Sequence, residues 1–351
     1  MRSTRTIIDN PCAMDLERRR IDLPLRHPWT ISRGSSQVRS NVLVRLTHGG
    51  VTGLGEAAPN ARYGEDWSTV LAALDRIEPL LGDDPEGYET AIDRIAASVP
   101  GHAAARAAID IALHDLAARR RGVPLHRLLG ADPAKTPETS YSVGLDTIPI
   151  MQEKAREAER FGILKIKLGT PQDRDIVKAI RAVTDKPLYV DANEAWKDPA
   201  QAIAMIRWME GMGVVLVEQP LPASDLEGAK QVRDQVSMPV FADEAASSAR
   251  DLEALTQAYD GVNVKVQKAG GLREARRMIE AARALGLQVL LGCMVETSIG
   301  ITAAAHLAGL ADRADLDGNL LLLDDPFRGA SVQEGRIVPP QGPGLGVEGT
   351  W

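Results

Sequence analysis

Apolar and polar residues alternate in the first part of the chain. The alternation runs through residues 40–46, stops at a glycine turn and resumes in residues 51–56. Alternation with period two around such a turn predicts an antiparallel hairpin. Three segments with helical spacing follow, at residues 69–81, 87–98 and 103–120. The chain therefore begins with an α+β module over roughly residues 1–125.

Beyond residue 140 the pattern changes to short apolar runs, each followed by an amphipathic helical stretch. Eight such runs lie near residues 141–143, 164–168, 188–191, 214–218, 240–243, 262–266, 289–292 and 314–317. Strands that alternate with helices form parallel sheets, and eight βα units suggest a closed barrel. The predicted fold class is therefore α/β, with a (β/α)8 barrel of the TIM type.

A glycine-rich segment raises a doubly wound nucleotide-binding fold as the alternative. That fold requires a GxGxxG fingerprint between a strand and a helix. The nearest match, Gly53-Leu54-Gly55-Glu56-Ala57-Ala58, is followed by Pro59-Asn60 instead of a helix. We interpret this segment as the end of a hairpin strand.

Composition and charge limit the classes of partner. The chain has 351 residues, a net charge of −7 and a sequence pI near 5.5. Nucleic-acid binding requires clustered Lys and Arg, so no nucleic-acid partner is expected. Cys12 and Cys293 are too far apart in sequence to indicate a disulfide framework or a cysteine zinc site. Residues 1–23 contain no apolar run long enough for a signal peptide or membrane helix, so a cytoplasmic protein with no membrane partner is expected.

Five of the predicted strands end in an ionisable residue. In chain order these residues are Lys167, Asp191, Glu218, Asp243 and Lys265. They recur about every 25 residues, close to the roughly 30 that one βα unit of a barrel occupies. The barrel therefore predicts that their side chains meet at one mouth.

The three acidic residues of this set form a candidate metal site. Asp191, Glu218 and Asp243 offer an all-oxygen ligand set, which suits Mg2+ and permits Mn2+ as a substitute. None of the six histidines lies at a predicted strand end, which disfavours both zinc and a histidine base. We therefore expect a Mg2+ ion at the barrel mouth.

Lysines on two predicted strands are candidate bases. In Lys165-Ile166-Lys167 two ammonium groups share one face of the second strand, because strand side chains alternate with period two. Mutual repulsion and a nearby divalent cation disfavour protonation, which would allow at least one lysine to be neutral near pH 7 and act as a base. Lys265 reaches the mouth from the sixth strand, roughly opposite the second. Two bases would then flank a planar intermediate whose negative charge the cation stabilises.

Two further segments carry candidate substrate contacts. The eighth strand ends in Asp315-Leu316-Asp317, whose carboxylates share one face and suit either a second metal ion or a substrate ammonium group. The polar, glycine-containing residues 29–36 are interpreted as a mobile loop from which Arg33 reaches a substrate carboxylate. An exposed arginine without such a role is the competing interpretation.

These segments together resemble the enolase superfamily, in its muconate-lactonizing-enzyme subgroup, and within that subgroup the dipeptide epimerases of the L-Ala-D/L-Glu type. The resemblance spans nearly the whole chain and includes Ile31-Ser32-Arg33-Gly34-Ser35, Arg62-Tyr63-Gly64-Glu65, Lys165-Ile166-Lys167, Asp191-Ala192-Asn193-Glu194, Glu218-Gln219-Pro220, Ala242-Asp243-Glu244, Asn263-Val264-Lys265 and Asp315-Leu316-Asp317. The mandelate-racemase subgroup has a similar fold but carries a histidine on the seventh strand, where this sequence has Gly292-Cys293-Met294.

The resemblance implies an architecture of two domains. Residues 1–125 become an N-terminal α+β capping domain that the C-terminal tail, residues 326–351, completes. Residues 126–325 become an enolase-like modified barrel that carries the catalytic residues.

The resemblance also implies roles for individual side chains. The implied ligands of one Mg2+ per subunit are Asp191, Glu218 and Asp243. Lys167 and Lys265 are the implied acid/base catalysts on opposite faces of the substrate α-carbon, and Lys165 and Lys268 are implied auxiliary cations that transfer no proton.

Substrate contacts follow from the same resemblance. In the dipeptide epimerases an Asp-x-Asp pair on the eighth strand binds the free α-ammonium group, and Asp315 and Asp317 match this pair. Arg33 matches, within one residue, an arginine that pairs with the Glu side chain of the dipeptide. Further implied contacts are Ser142, Met294 and Glu296.

The implied activity is 1,1-proton transfer at the α-carbon of the C-terminal residue of a dipeptide such as L-Ala-D/L-Glu, through an enediolate, in peptidoglycan turnover. An N-acylamino-acid racemase is the nearest alternative, but its substrate has no ammonium group for Asp315 and Asp317. Cycloisomerization and o-succinylbenzoate synthesis use the same lysines. A Schiff-base aldolase with Lys265 and a non-catalytic barrel are more distant alternatives. Since similar proteins are commonly homo-oligomers, a homo-oligomer is expected.

Overall fold

The computed structural model of the protein describes residues 14–351. Residues 1–13 lie outside the described residues; they include Cys12 and more than half of residues 1–23, in which no signal peptide is expected. Within residues 14–351, no helix is both long and apolar enough to cross a membrane.

An antiparallel sheet and four helices form the first module. The strands are β1 (Asp15–Ile31), β2 (Gly34–His48) and β3 (Val51–Ala57), paired in the order β1-β2-β3. The helices are α1 (Trp67–Ile77), α2 (Tyr88–Ser98), α3 (Ala103–Arg120) and the single turn α4 (Leu125–Leu128). The predicted hairpin is β2-β3, and the three predicted helical segments correspond to α1, α2 and α3.

Two glycines allow α3 to lie directly on β3. A Cβ atom at Gly55 would be 1.9 Å from the backbone oxygen of Ala108, and one at Gly53 would be 2.2 Å from that of Ala112. Real Cβ atoms do not come so close to a backbone oxygen, so only glycine permits this packing. Gly53 and Gly55 therefore belong to a hairpin strand, as predicted, and serve helix–sheet packing.

Eight parallel strands form the second module. They are β4 (Ser140–Val143), β5 (Ile163–Lys167), β6 (Leu188–Asp191), β7 (Val214–Glu218), β8 (Val240–Ala242), β9 (Gly261–Lys265), β10 (Gln288–Gly292) and β11 (Arg313–Asp315). Each strand pairs with the next one along the chain, and a parallel bridge between Thr139 and Ala314 joins the first strand to the last. The predicted barrel is confirmed, and the carboxyl ends of its strands share one mouth.

Helices surround most of the barrel. They are α5 (Ile148–Glu157), α6 (Asp173–Arg181), α7 (Pro199–Glu210), α8 (Leu226–Gln235), α9 (Leu252–Leu255), α10 (Val266–Ala269), α11 (Leu272–Ala284) and α12 (Ser298–Ala305). The last strand is followed by a 3-10 turn at Gly318–Leu321 instead of an outer helix. The barrel is therefore of the modified, enolase-like type.

Two buried carboxylates of the first module cap helices of the barrel. Glu56 on β3 accepts hydrogen bonds from the backbone amides of Thr297 and Gly300 at the start of α12. Asp110 on α3 accepts one from the amide of Leu272, the first residue of α11, at 2.6 Å. The first amides of a helix have no partner within it, so these carboxylates hold the first module against the barrel.

The C-terminal tail forms two small antiparallel sheets and touches both modules. Its strands are β12 (Phe327–Arg328), β13 (Ser331–Gln333), β14 (Arg336–Val338) and β15 (Glu348–Gly349). The amide of Leu345 donates to Asp115 on α3 at 2.7 Å. The ring of Trp351 lies under the guanidinium groups of Arg19 and Arg45 in the first sheet. The tail therefore runs back to the first module after leaving the barrel.

Candidate active site

The barrel mouth brings together the five ionisable residues that the strand spacing singled out. Lys167, Asp191, Glu218 and Lys265 are the last residues of β5, β6, β7 and β9. Asp243 comes directly after β8. Neighbouring strands are in register here, so that Lys167 stands beside Asp191 and Asp191 beside Glu218.

Asp191, Glu218 and Asp243 form a buried carboxylate triad. Each offers one oxygen, and these oxygens lie within 4.8 Å of one another, a spacing that could hold a metal ion. Neighbouring groups orient them: the amide of Asn193 donates to Asp191 Oδ1 and the side chain of Asn263 donates to Glu218 Oε1, each at 2.8 Å. Buried carboxylates this close repel one another unless a cation lies between them, and hard oxygen donors suit Mg2+. The residues present therefore fit this ion.

Lysines keep two of the three triad carboxylates ionised. Burial raises the pKa of Asp191, but Lys167 and Lys165 outweigh it and lower the pKa to about 2. Burial likewise opposes ionisation of Asp243, yet Lys265 and Lys268 bring its pKa well below the usual value. At Glu218 burial prevails and raises the pKa to about 7, with Lys165 offsetting only part of the effect. Asp191 and Asp243 are therefore ionised at neutral pH, as metal ligands must be.

Lys167 and Lys265 face the same cavity from opposite sides of the barrel. Both line it, and both are only 7% exposed. Lys167 Nζ donates to Asp191 Oδ2 at 2.6 Å, and Lys265 Nζ donates to Asp243 Oδ2 at 2.7 Å. Since β5 and β9 are four strands apart in an eight-stranded barrel, a planar group between the two lysines would meet one Nζ on each face.

Lys165 is surrounded by carboxylates. Its Nζ donates to Asp315 at 2.7 Å and lies 2.8 Å from Glu218 Oε2, although at an angle unsuited to a hydrogen bond. Burial alone would lower the pKa of Lys165, but Asp315, Glu218 and Asp191 raise it well above the usual value. The predicted effect of repulsion by Lys167 is therefore wrong for Lys165, because nearby carboxylates outweigh the like charge.

Lys268 lies behind the mouth. Its Nζ donates to Asp243 Oδ1 at 2.8 Å, to the backbone oxygen of Asp243 and to that of Asn263 at 2.9 Å. Burial lowers the pKa of Lys268. It contacts the triad from outside the cavity, which Lys167 and Lys265 line.

Asp315 and Asp317 line the cavity beside the triad. Ser140 Oγ and Lys165 Nζ each donate to Asp315 at 2.7 Å, while the amide of Ser142 donates to Asp317 at 2.6 Å. Burial and the charge of Asp315 raise the pKa of Asp317 to about 7. Among residues 14–351, the triad is a group of three carboxylates with metal-binding spacing, and Asp315 and Asp317 belong to no such group of three, so the second-metal interpretation gains no support.

Arg33 lies at the tip of the β1-β2 hairpin and lines the cavity. The prediction of a loop at residues 29–36 is wrong, because residues 29–31 pair with residues 34–36. The Arg33 guanidinium donates to Glu244 at 2.6 Å and to Glu194 at 3.2 Å. Burial would lower the pKa of Arg33, but these two carboxylates raise it. Its charge is therefore already matched within the protein.

Some residues of the segment after β10 line the cavity and others do not. Cys293, Met294 and Val295 line the cavity, as does Ser142 on β4. Glu296 turns away from it: its carboxylate accepts hydrogen bonds from the amide of Met294 at 2.8 Å and from the side chain of Gln267 at 2.9 Å. The structure thus places Glu296 behind the cavity lining, where it braces Met294 and Gln267.

Sequence reasoning did not single out several polar or aromatic residues that line the cavity. They are Trp29, Arg39, Tyr63, Asn193 and Glu244. The last three belong to segments that carried the family resemblance, and Glu244 directly follows a triad member, so a signal for them was present. Trp29 and Arg39 come from strands of the first module and reach the mouth only through tertiary packing.

The fold and the site define a barrel enzyme with a metal-binding carboxylate triad between two lysines. Residues 14–130 match the family described as mandelate racemase / muconate lactonizing enzyme, N-terminal domain, and residues 150–350 match the family described as enolase C-terminal domain-like. The chain belongs to the mandelate racemase/muconate lactonizing enzyme family of the enolase superfamily.

Similar proteins narrow the subgroup. The chain is 41% identical over 327 residues to L-Ala-D/L-Glu epimerase from Bacteroides thetaiotaomicron, which covers 93% of this chain and 85% of that protein. A substrate-liganded complex of the L-Ala-D/L-Glu epimerase from Bacillus subtilis has a TM-score of 0.91 at 34% identity, covering 95% of this chain and 98% of that one. A dipeptide epimerase from Enterococcus faecalis, complexed with Mg and the dipeptide L-Leu-L-Tyr, has a TM-score of 0.88 at 34% identity and the same coverage.

Proposed function

We propose that this protein is a Mg2+-dependent dipeptide epimerase, an isomerase that inverts the α-carbon of the C-terminal residue of a dipeptide such as L-Ala-D/L-Glu. The observation that carries the proposal is the pair of lysines, Lys167 and Lys265, which face one cavity from β5 and β9. Asp315 and Asp317 add two carboxylates to the same cavity. The named activities of the similar proteins agree with this arrangement.

The triad would hold the metal. Asp191, Glu218 and Asp243 supply oxygen ligands, and a bound Mg2+ supplies positive charge for the carboxylate of the substrate as negative charge develops there. Lys165 and Lys268 contribute further positive charge to the same region from buried positions. They contact the triad and are proposed as auxiliary cations, with no proton transfer.

The proton transfer belongs to the two lysines that line the cavity. One neutral Nζ takes the proton from the α-carbon, and the electron pair left behind spreads into the adjacent carboxylate as an enediolate. The opposite ammonium then returns a proton to the other face of the carbon, which inverts its configuration. Asp191 and Asp243 fix the positions of Lys167 Nζ and Lys265 Nζ by hydrogen bonds.

The eighth strand and its neighbours would select the substrate. Asp315 and Asp317 are proposed to bind the free α-ammonium group, with Ser142 holding both carboxylates and Met294 contributing apolar surface. An N-acyl amino acid has no ammonium group and would leave buried Asp317, which unlike Asp315 does not pair with Lys165, without a cation, at a cost of about 1–3 kcal/mol. The pair therefore favours dipeptides.

Domain division and physiological setting complete the proposal. The contacts of Leu345 and Trp351 support a capping domain of residues 1–125 that residues 326–351 complete, with residues 126–325 as the barrel domain. A dipeptide with D-Glu points to the turnover of peptidoglycan in the cytoplasm.

We also predict that the protein is a homo-oligomer, and light scattering tests this prediction.

Exchange of the α-proton with solvent tests the proposed activity. In D2O with Mg2+, the enzyme is expected to introduce deuterium at the α-carbon of the C-terminal residue of some members of an L-Xaa-L-Xaa dipeptide library. EDTA should abolish the exchange and added Mg2+ should restore it. If no dipeptide exchanges its α-proton, the proposed activity is rejected. If only N-acyl amino acids exchange theirs, dipeptides are rejected as the substrate class.

A further inference from the structure

Arg39 is a cation of the cavity lining that has no anionic partner in the described part of the chain. It lies on β2, and Asn41 two residues further on also lines the cavity, as expected for residues on one face of a strand. Arg39 is half-buried, and burial is the only influence on its pKa, which it lowers. A guanidinium that loses water without gaining a carboxylate is unfavourable unless a ligand supplies one.

The other cations of the cavity are matched by carboxylates of the protein. Lys167 and Lys265 pair with Asp191 and Asp243, and Lys165 pairs with Asp315. Arg33 pairs with Glu194 and Glu244. Arg39 is therefore the cation that remains available to an anion entering the cavity.

The charged groups of the cavity that lack a partner within the protein indicate which groups a substrate must carry. Asp317 makes no ion pair within the described chain and suits an ammonium group, whereas the triad with its metal suits the α-carboxylate. Arg39 then requires a second carboxylate, separate from the one that reacts. Trp29, Ile31 and Leu321 line the cavity as well, and apolar walls strengthen an ion pair by excluding water. A dipeptide with an acidic side chain provides all these groups.

We propose that Arg39 binds the side-chain carboxylate of an acidic dipeptide and so determines the preference for acidic side chains. This inference rests on the proposed function and deepens it. The family resemblance implies the same role for Arg33, but the guanidinium of Arg33 is held by two carboxylates of the barrel.

Isosteric substrate pairs test the role of Arg39. Values of kcat/KM for α-proton exchange are compared for L-Ala-L-Glu against L-Ala-L-Gln and for L-Glu-L-Ala against L-Gln-L-Ala, which also identifies the residue that Arg39 contacts. We expect the wild type to prefer the Glu member of one pair. Arg39→Met should lower kcat/KM for that member by roughly 10- to 100-fold, the usual weight of a charged hydrogen bond, and change the Gln member less than about threefold.

Matched variants separate this role from general damage. Arg45→Met removes an arginine of the same strand that pairs with Glu17 and should keep the Glu preference. Arg33→Met should lower kcat/KM for the Glu and Gln members alike, because Arg33 holds Glu194 and Glu244. Arg39→Gln serves as a second neutral variant, and circular dichroism verifies that each variant folds.

The outcomes distinguish the two proposals. If Arg39→Met and Arg39→Gln keep the Glu preference, or if the wild type has none in either pair, the role of Arg39 is rejected while exchange of the Gln dipeptides still supports an epimerase. If the wild type exchanges no dipeptide, the proposed function itself is rejected.

Discussion

Hydrogen bonds to carboxylates position the two lysines at the barrel mouth. Lys167 Nζ and Lys265 Nζ are held by Asp191 and Asp243 at 2.6 and 2.7 Å. A lysine side chain is flexible, so such a bond selects one position for the nitrogen among many. Because the same two carboxylates belong to the candidate metal site, metal binding and the placement of the bases are linked.

Replacement of Asp317 tests ammonium binding with little disturbance of the lysines, since Lys165 pairs with Asp315 and not with Asp317. Asp317→Asn should lower kcat/KM for dipeptide exchange by roughly 10- to 100-fold, because a charged acceptor becomes a neutral one. Exchange of N-acyl amino acids should be spared more. Asp315→Asn should show the same bias with a larger general loss. Equal losses for both substrate classes would contradict the ammonium role.

The metal site predicts a dependence of thermal stability on Mg2+. Since the triad exists only in the folded chain, Mg2+ should raise the Tm of the wild type as its concentration rises. Glu218→Gln removes one ligand and should reduce this rise, whereas Glu227→Gln, on the exposed first turn of α8, should keep it. Scanning fluorimetry measures these shifts, and an equal rise in all three proteins would contradict the assigned ligands.

Sequence reasoning could place residues at the mouth but not their partners. Strand ends recur once per βα unit, and this regularity predicts that Lys167, Lys265 and the three carboxylates of the triad lie at one mouth. The pairing of Lys165 with Asp315, or of Arg33 with Glu244, depends on side-chain conformations between residues more than 100 positions apart. No local pattern encodes such a choice.

At the scale of elements, the tip of the β1-β2 hairpin is fastened to the loop after β6. Arg33 and Arg62 both donate to the carboxylate of Glu194, and the amide of Ala223 donates to it as well. Asn193 and Glu194 have φ angles of 45° and 65°, an unfavourable region for residues other than glycine. Contacts with the first module therefore stabilise a strained loop beside the triad.

Loss of this contact should loosen the hairpin tip. Glu194→Gln leaves Arg33 and Arg62 with a weaker acceptor, so hydrogen exchange of residues 31–36 should become faster. KM should rise by roughly 3- to 10-fold for Glu and Gln dipeptides alike, as a loss of about 1 kcal/mol implies. Hydrogen-exchange mass spectrometry measures the exchange rate of residues 31–36, with the exposed Glu253→Gln as control. Unchanged exchange at the tip would contradict the fastening.

The elements of the barrel were predictable where their pattern is local. Eight apolar runs with helical stretches between them gave the strands within a few residues. The loop predicted at residues 29–36 is wrong because Ser, Arg and Gly are common in loops, whereas here residues 29–31 and 34–36 pair as the end of a long hairpin. The partner strand and the barrel stabilise that hairpin, and neither is visible in a short sequence window.

At the scale of the whole molecule, a buried histidine connects the tail to the rest of the chain. His306 Nε2 donates to the backbone oxygen of Leu345 at 3.0 Å, and His306 Nδ1 accepts from the amide of His126 at 3.2 Å. This arrangement suits a neutral ring. Burial lowers the pKa of His306 to about 4.

Stability should therefore depend on pH through His306. Below pH 6.5, which is close to the ordinary pKa of histidine, His306 binds a proton in the unfolded chain but not in the folded chain. The contribution of His306 to the free energy of unfolding is complete above pH 6.5 and declines by about 3 kcal/mol as the pH falls to 4. Urea unfolding of the wild type and of His306→Gln should show a smaller pH slope for the variant; parallel slopes would contradict the assignment.

The two modules contribute different residues to the site. The barrel carries the triad and both lysines, while the first module places Trp29, Arg39 and Tyr63 in the cavity lining. Chemistry at the carboxyl ends of barrel strands is encoded in one regular pattern along the chain. The proposed contact of Arg39 with the substrate side chain depends on how the modules pack, which is why the sequence predicts the reaction better than the preferred side chain.

The central claim is that Lys167 and Lys265 act on one α-carbon from opposite faces. Deuterium incorporation from D2O into L-Ala-L-Glu and L-Ala-D-Glu tests it in Lys167→Gln and Lys265→Gln, with Lys178→Gln on α6 as control. Each cavity variant should lose epimerization by roughly 10²- to 10⁴-fold. Each should keep exchange of one epimer only, and the two variants should keep opposite epimers. Exchange of the same epimer by both variants, or full epimerization by either, would contradict the claim.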